Sequence, residues 1–532
     1  MSRPARFGIV AILLAILAVH AQVVLNPFTW DDGYLVLDNP EIRDLSGIPG
    51  MFVTTWGSGT GDEAARDMNR SYYRPVALVS VALQFAAQGA DAAGFHAVNV
   101  AIHALAALAL LAWLRRMLAR ATPGDAGPGQ APTRWAEWAA LVLALLWAVH
   151  PIHSESISVV AYRSNTLGGL FTFATLALLA PPVDRARPAG TGDPATPWGT
   201  AIAAAACAAL ALWSKETSVV LPAMIVVQDL LARRTGFRRV LAAWVPAGLL
   251  ACAYLWMRHQ TTAASDLRFF DGVQPLQALA LVPRVFHFYL RLCLAPWPLN
   301  AFYDWSIVGP PDLSPDASLV VGSLLLAGLV AGIPLLRRRR PVAALGLAVF
   351  VLGLLPASHL VPFVVGVADR FLYVPLAGLL LAAGDAFLAV SGSRAVRRVL
   401  AATGLLLLLA FSGLSAVRDR DWTSDEAILQ AAIRDWPGSV NGHLGLARYY
   451  LANGRAPEAV LPLREVVRLS PGLAVGHGLL AAALGRTGDY PEGRKILRQA
   501  PLPQPGLPSA VEIARGELAR SGDLEAIRRL GL

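Results

Sequence analysis

Two adjacent carboxylates, Asp31 and Asp32, sit in the stretch Phe28-Thr29-Trp30-Asp31-Asp32-Gly33-Tyr34, directly after the apolar segment 7–25. That segment has the length of apolar chain needed to cross a bilayer, so the pair falls at the water boundary. Trp30 and Tyr34 on either side are residue types that favour the boundary. Carboxylates placed there ionise without the full cost of entering hydrocarbon, and one of them can act as a general base. The pair could equally hold a divalent cation such as Mg or Mn. An isolated Asp-Asp is ordinarily a helix cap or a solvated loop. What argues for chemistry is the set of ionisable residues further along: Arg70, Arg74, His150, His153, Glu155, Lys215, Glu216, Asp369 and Arg370.

The elements that would position these residues follow from composition and charge. The chain of 532 residues is 55% hydrophobic and only 15% charged, which marks a membrane protein. A net charge of +9 would point to nucleic acid in a soluble chain. Here the arginines cluster in short loops between apolar runs, so they read as topology signals, and no nucleic-acid partner is expected. Cys207, Cys252 and Cys293 show no paired spacing for disulfides or a metal site.

With Arg3 and Arg6 cytoplasmic, the first segment, read as a retained anchor, delivers residue 26 to the opposite face. Residues 26–94 then form an external loop, with an interfacial helix near Val76 to Ala87. Eleven spans put the arginine-rich groups 115–134, 185–187, 233–239, 337–340 and 394–398 on the cytoplasmic side. This requires Pro283 to Trp297, which carries Arg284, His287 and Arg291, to be interfacial or re-entrant rather than a span. All the candidate site residues then gather on the external face, where cations run against the positive-inside tendency. Binding an anionic phosphate is a reason for them to be there. For His150 and His153 the metal-ligand spacing is a weak signal, and a hydrogen-bonded loop is the ordinary alternative.

From Arg418 the composition turns soluble and helical. Pro437, Pro471 and Pro505 recur every 34 residues, as do Gly454, Gly488 and Gly522. That period is the signature of tetratricopeptide repeats, which stack into concave surfaces for proteins or peptides. The expected fold is therefore all-α, with a polytopic membrane domain over 1–417 and a repeat domain over 418–532.

Neither a GxGxxG turn, a Walker loop nor a Gly-x-Ser-x-Gly elbow is present. A donor reaching an external site through the lipid, such as a polyprenyl phosphate carrying a sugar, suits the cations at the boundary. Taken in order, Trp30-Asp31-Asp32, Tyr73-Arg74-Pro75, Phe95-His96-x-x-Asn99-x-x-x-His103, His150-Pro151-x-His153-x-Glu155, Lys215-Glu216-Thr217 and Asp369-Arg370-x-x-Tyr373-x-Pro375 resemble the transmembrane-and-tetratricopeptide family of O-mannosyltransferases in its bacterial form. The resemblance covers nearly the whole chain. It implies a glycosyltransferase fold of the GT-C type, a lipid-phosphate-linked donor, a hydroxyl acceptor such as protein Ser or Thr, and an acidic base in the first external loop. Asp31 or Asp32 would be that base; Asp32 is taken first, although nothing in the sequence separates the two. Arg74, Lys215 and Arg370 would neutralise the departing phosphate. His153 and Glu155 rank behind them, with Arg70, His150, Glu216 and Asp369 as further candidates. The implied location is a bacterial inner membrane, with a cytoplasmic N-terminus and periplasmic repeats. A membrane-anchored repeat scaffold without catalysis is the alternative. A transporter fits less well, since ionisable residues would then lie at mid-membrane.

Overall fold

A computed structural model describes residues 3–58, 71–121, 134–181, 196–262, 275–303, 315–361, 366–503 and 507–532. Arg70 lies outside them. The described residues are helical or irregular, with no strand. The protein is a polytopic α-helical membrane protein, and it divides into two compact units, Met1–Leu299 with Val308–Thr423, and Asn300–Ile307 with Ser424–Leu532.

The helices of the first unit that matter for the site begin with α1 (Arg3–His20), α2 (Pro75–Gln88) and α3 (Ala92–Leu118). Then come α4 (Arg134–Ala148), the single turn α5 (Ser154–Ser158), α6 (Arg163–Leu179), α7 (Trp198–Ser214) and α8 (Leu221–Leu231). The last are α9 (Val245–Thr261), α10 (Leu281–Leu294), α11 (Ala317–Leu336), α12 (Pro341–Leu354), α13 (Pro375–Val390) and α14 (Arg394–Asp421). Local signals explain several boundaries. Pro75 opens α2 at a position where its missing N–H costs nothing, and Gly89 closes it at φ 66. The Asp91 carboxylate caps α3 by accepting the N–H of Gly94 at 3.1 Å.

Among the described residues, five helices are long and apolar enough to cross a membrane: Phe7–Leu25, Ala92–Leu118, Phe237–Thr261, Ala317–Leu336 and Arg394–Asp421. The pair Arg134–Ala148 and Pro151–Ser158, bent by 49°, makes a sixth if it is one span. The other segments expected to cross also fall on helices, but shorter ones. α7, at 17 residues, reaches only about 25 Å at 1.5 Å per residue. α11 and α14 bury just 6% and 11% of their apolar windows. Apolar faces of that extent without protein cover are what a lipid environment requires. The segment around Pro283 to Trp297 is the helix α10, with Arg284 fully buried and paired to Asp316 at 3.0 Å.

The second unit is built of helix pairs. α15 (Asp425–Asp435) is followed by α16 (Val440–Ala452) and α17 (Ala456–Leu469), then α18 (Ala474–Arg486) and α19 (Tyr490–Gln499), then α20 (Ala510–Arg520) and α21 (Leu524–Leu530). Within each pair the turn contains a glycine in the left-handed region, Gly454 at φ 74, Gly488 at φ 84 and Gly522 at φ 73. A side chain there would be strained, which is why glycine returns every 34 residues. The Asn300 amide belongs to this unit and donates to the Ala432 carbonyl at 2.8 Å.

Candidate active site

The acidic pair follows a strained turn. Trp30 has φ 54, a left-handed conformation that costs a large residue energy and marks sites where geometry is imposed. The turn separates the two carboxylates. Asp32 is fully buried, and its Oδ1 accepts the Ala161 N–H at 2.8 Å. Its Oδ2 accepts from Val160 at 3.2 Å and Thr29 at 3.4 Å. Burial pushes its carboxyl up to about 7 against the pull of these three donors. Asp32 thus ties two loops together, each of its oxygens accepting at least one backbone N–H.

Asp31 is half-buried and is held by side chains instead, accepting from the Tyr34 and Tyr162 hydroxyls. Burial raises its carboxyl above the ordinary range, while the two hydroxyls and the charge of Arg370 oppose the rise. Glu155 acts on it in the same direction as burial, so Asp31, Glu155 and Arg370 share one electrostatic neighbourhood.

Arg370 is bound to Glu155 twice, through its guanidinium and through its backbone N–H, the latter at 3.1 Å. The guanidinium lies over the Tyr162 ring at 4.5 Å. Arg74 makes a two-pronged pair with Glu216, Nε to Oε2 at 2.8 Å and Nη2 to Oε1 at 2.6 Å, and stacks on Tyr72 at 4.4 Å. Lys215 Nζ is 3.4 Å from the same Glu216 and only 3% exposed. Burial together with the positive charges of Arg74 and Arg370 lowers its ammonium to about 7, partly offset by Glu216. For Glu216 itself burial works upward, but Arg74 and Lys215 outweigh it and hold the carboxyl well below its usual range. Both arginines therefore have carboxylate partners already, and Lys215 has the loosest pairing of the three cations.

Lys215 and Arg370 line a cleft. Its lining is mixed, with the polar residues Asn165, Thr217 and Ser218 and the apolar Leu221, Met224, Val374 and Pro375. One wall is the Gly168–Gly169 pair of α6. A Cβ on Gly168 would stand 2.9 Å from the Lys215 Cβ, and one on Gly169 only 2.3 Å from the Tyr373 ring. Glycine here lets Lys215 and Tyr373 lie directly on the helix backbone.

Of the other sequence candidates, Asp369 is buried at the start of the 3-10 turn Asp369–Leu372 that carries Arg370. His150 follows its ordinary alternative: Nδ1 accepts the Ile152 N–H at 3.5 Å and Nε2–H donates to the Cys293 carbonyl at 3.2 Å. His153 is fully buried against Trp147 and Tyr373, and neither ring nitrogen has a partner among the described residues. Neither imidazole is hydrogen-bonded to the acidic or basic groups around Asp31. Among the described residues no cluster of three His, Cys, Asp or Glu suits a metal ion. The donor set agrees, since N–H groups face both Asp32 oxygens and a guanidinium acts on Asp31. Tyr162 and Arg163 also belong to this neighbourhood, Tyr162 through Asp31 and Arg163 through Asn99. A Tyr-Arg pair interrupting the apolar run after Glu155 is the signal that was available.

No family model matches the chain, and no solved structure does. Curated relatives do. Protein O-mannosyl-transferase TMTC1 of Homo sapiens is 24% identical over 497 residues, 85% of this chain and 54% of the relative. TMTC4 of Mus musculus is 24% identical over 477 residues, covering 81% and 62%. Tmtc3 of Drosophila melanogaster is 23% identical over 501 residues, covering 83% and 52%. The chain thus spans only about half to three-fifths of the length of these relatives. Over most of its own length it resembles the TMTC group of protein O-mannosyl-transferases.

Proposed function

We propose that the protein is a membrane glycosyltransferase that moves mannose or a similar sugar from a polyprenyl-phosphate carrier to a hydroxyl, of protein Ser or Thr, on the extracytoplasmic face of a bacterial inner membrane. The observation that supports this reading is that Arg370, which acts electrostatically on Asp31, also lines with Lys215 a cleft of mixed polar and apolar residues. The names of the relatives support the same class.

In this reading the carrier phosphate sits against Lys215 and Arg370 and its first carbon units lie against Met224 and Pro375. Asp31 accepts the proton of the acceptor hydroxyl as its oxygen bonds to the anomeric carbon of the sugar. The bond from that carbon to the phosphate oxygen breaks, and the negative charge left on the phosphate is met by Lys215 and Arg370. Attack opposite the leaving phosphate inverts the anomeric centre. Asp32 takes no proton; it fixes the loop on which Asp31 stands. The helix pairs of the second unit, read as tetratricopeptide repeats, are proposed to bind the acceptor protein.

The test is transfer of labelled mannose from polyprenyl-phosphate mannose into protein by membranes containing the chain. Lys215→Ala and Arg370→Ala are each expected to cut donor use by at least ten-fold. Wild-type donor dependence in both variants would show that these cations do not meet the phosphate.

A further inference from the structure

Before Arg115 and Arg116 in its last turn, α3 carries three polar residues, His96, Asn99 and His103, in an otherwise apolar helix of membrane-crossing length. Their spacing of three and four puts them in one stripe along the helix. All three are fully buried. Polar groups in such a helix are costly unless paired, and each of these three is paired with a different loop.

His96 Nε2–H donates to the Pro27 carbonyl at 3.2 Å, on the loop that leads to the acidic pair. The Asn99 amide donates to the carbonyls of Ile157 and Val159, each at 3.3 Å. Its own oxygen accepts from Arg163 Nε at 2.7 Å. The next two N–H groups, of Val160 and Ala161, are those that hold Asp32. His103 Nε2–H donates to the Ala148 carbonyl at 2.9 Å, which leaves Nδ1 to accept the Tyr373 hydroxyl at 2.8 Å. The Tyr373 carbonyl in turn accepts Trp147 Nε1–H at 3.0 Å, and Tyr373 follows the turn that carries Arg370.

We propose that His96, Asn99 and His103 are positioning residues: one face of α3 sets the register of the three loops that present Asp31, Glu155 and Arg370. None of the three is hydrogen-bonded to the carboxylates or to Arg370. They act through backbone carbonyls and one tyrosine hydroxyl. Apolar packing alone would hold the loops near α3 but would not fix them against sliding. Directional bonds do, and a misplacement of about 1 Å costs on the order of 10²-fold in rate.

The test uses the full-length protein in detergent or nanodiscs and reads backbone hydrogen exchange. Asn99→Ala is expected to speed exchange at Val160 and Ala161 on the order of ten-fold, with little change at Ala368 to Tyr373. His103→Leu is expected to do the reverse. Tyr373→Phe, which removes a single hydroxyl, should reproduce the His103→Leu pattern, and the double variant should be no worse than either. It also keeps the proposal open to refutation if His103→Leu fails to accumulate. Unchanged exchange at the partner loops, uniform loosening of the whole unit, or additive effects of His103→Leu and Tyr373→Phe would each overturn the proposal. A second arm rests on the glycosyltransferase reading. With polyprenyl-phosphate mannose as the probe, Asn99→Ala should lower kcat on the order of 10²-fold with KM nearly unchanged. If the wild-type chain transfers nothing, that reading fails while the exchange arm still decides the role of α3.

Discussion

Asp31 and Lys215 face the same requirement from opposite signs: one must give up its charge-neutral form and the other must keep its proton for phosphate to be met. Asp31 lies above the ordinary carboxyl range because it is buried, so transfer should rise with pH as it ionises. Lys215, lowered to about 7 by burial and neighbouring cations, loses its charge as pH climbs through that value, so kcat/KM should fall there. The expected profile is a bell. Lys215→Arg keeps the charge at every accessible pH, and the falling limb should vanish in a pH–rate series. Retention of that limb in the arginine variant would assign it to another group. The roles of the two aspartates were not separable by sequence, because they depend on the N–H groups of Val160 and Ala161, well over a hundred residues away. The Arg74–Glu216 pair was hidden for the same reason, its partners lying 142 residues apart.

The elements themselves were far more legible. Long apolar runs and arginine-rich loops announce helices because a bilayer leaves few other options for the backbone. The exit of α14 was less so. The reading from sequence ends the membrane domain at residue 417, yet the helix continues to Asp421. Charges there have partners: Asp419 accepts from His20 Nδ1 at 2.7 Å, and Arg418 pairs with Asp421 at 3.0 Å. Composition alone shows those charges but not their partners. The double glycine of α6 makes a prediction at this scale. Gly169→Ala should destabilise by about 1–3 kcal/mol in a thermal-unfolding series, since its Cβ would press into the Tyr373 ring at 2.3 Å. Gly199→Ala, with nothing within 4 Å, is the matched control and should be near neutral.

For the whole molecule, the 34-residue interval of glycines was readable because a left-handed turn admits little else, and all three turns adopt it. The orientation proposed for the chain places Met1 in the cytoplasm and Leu532 outside. A reporter active only outside the membrane, fused after Leu532, should be active; a silent reporter would move the repeats to the other face. The central claim, that one carboxylate on the first external loop drives sugar transfer, is tested most directly by comparing Asp31→Asn with Asp32→Asn. Both are to be purified, checked for folding, and assayed for labelled mannose transfer from polyprenyl-phosphate mannose. Asp31→Asn should fold normally and lose about 10²–10⁴-fold in rate. Asp32→Asn, which puts an amide NH₂ against backbone N–H groups, should be impaired first in stability. A folded Asp31→Asn protein that transfers mannose at the wild-type rate would contradict the account.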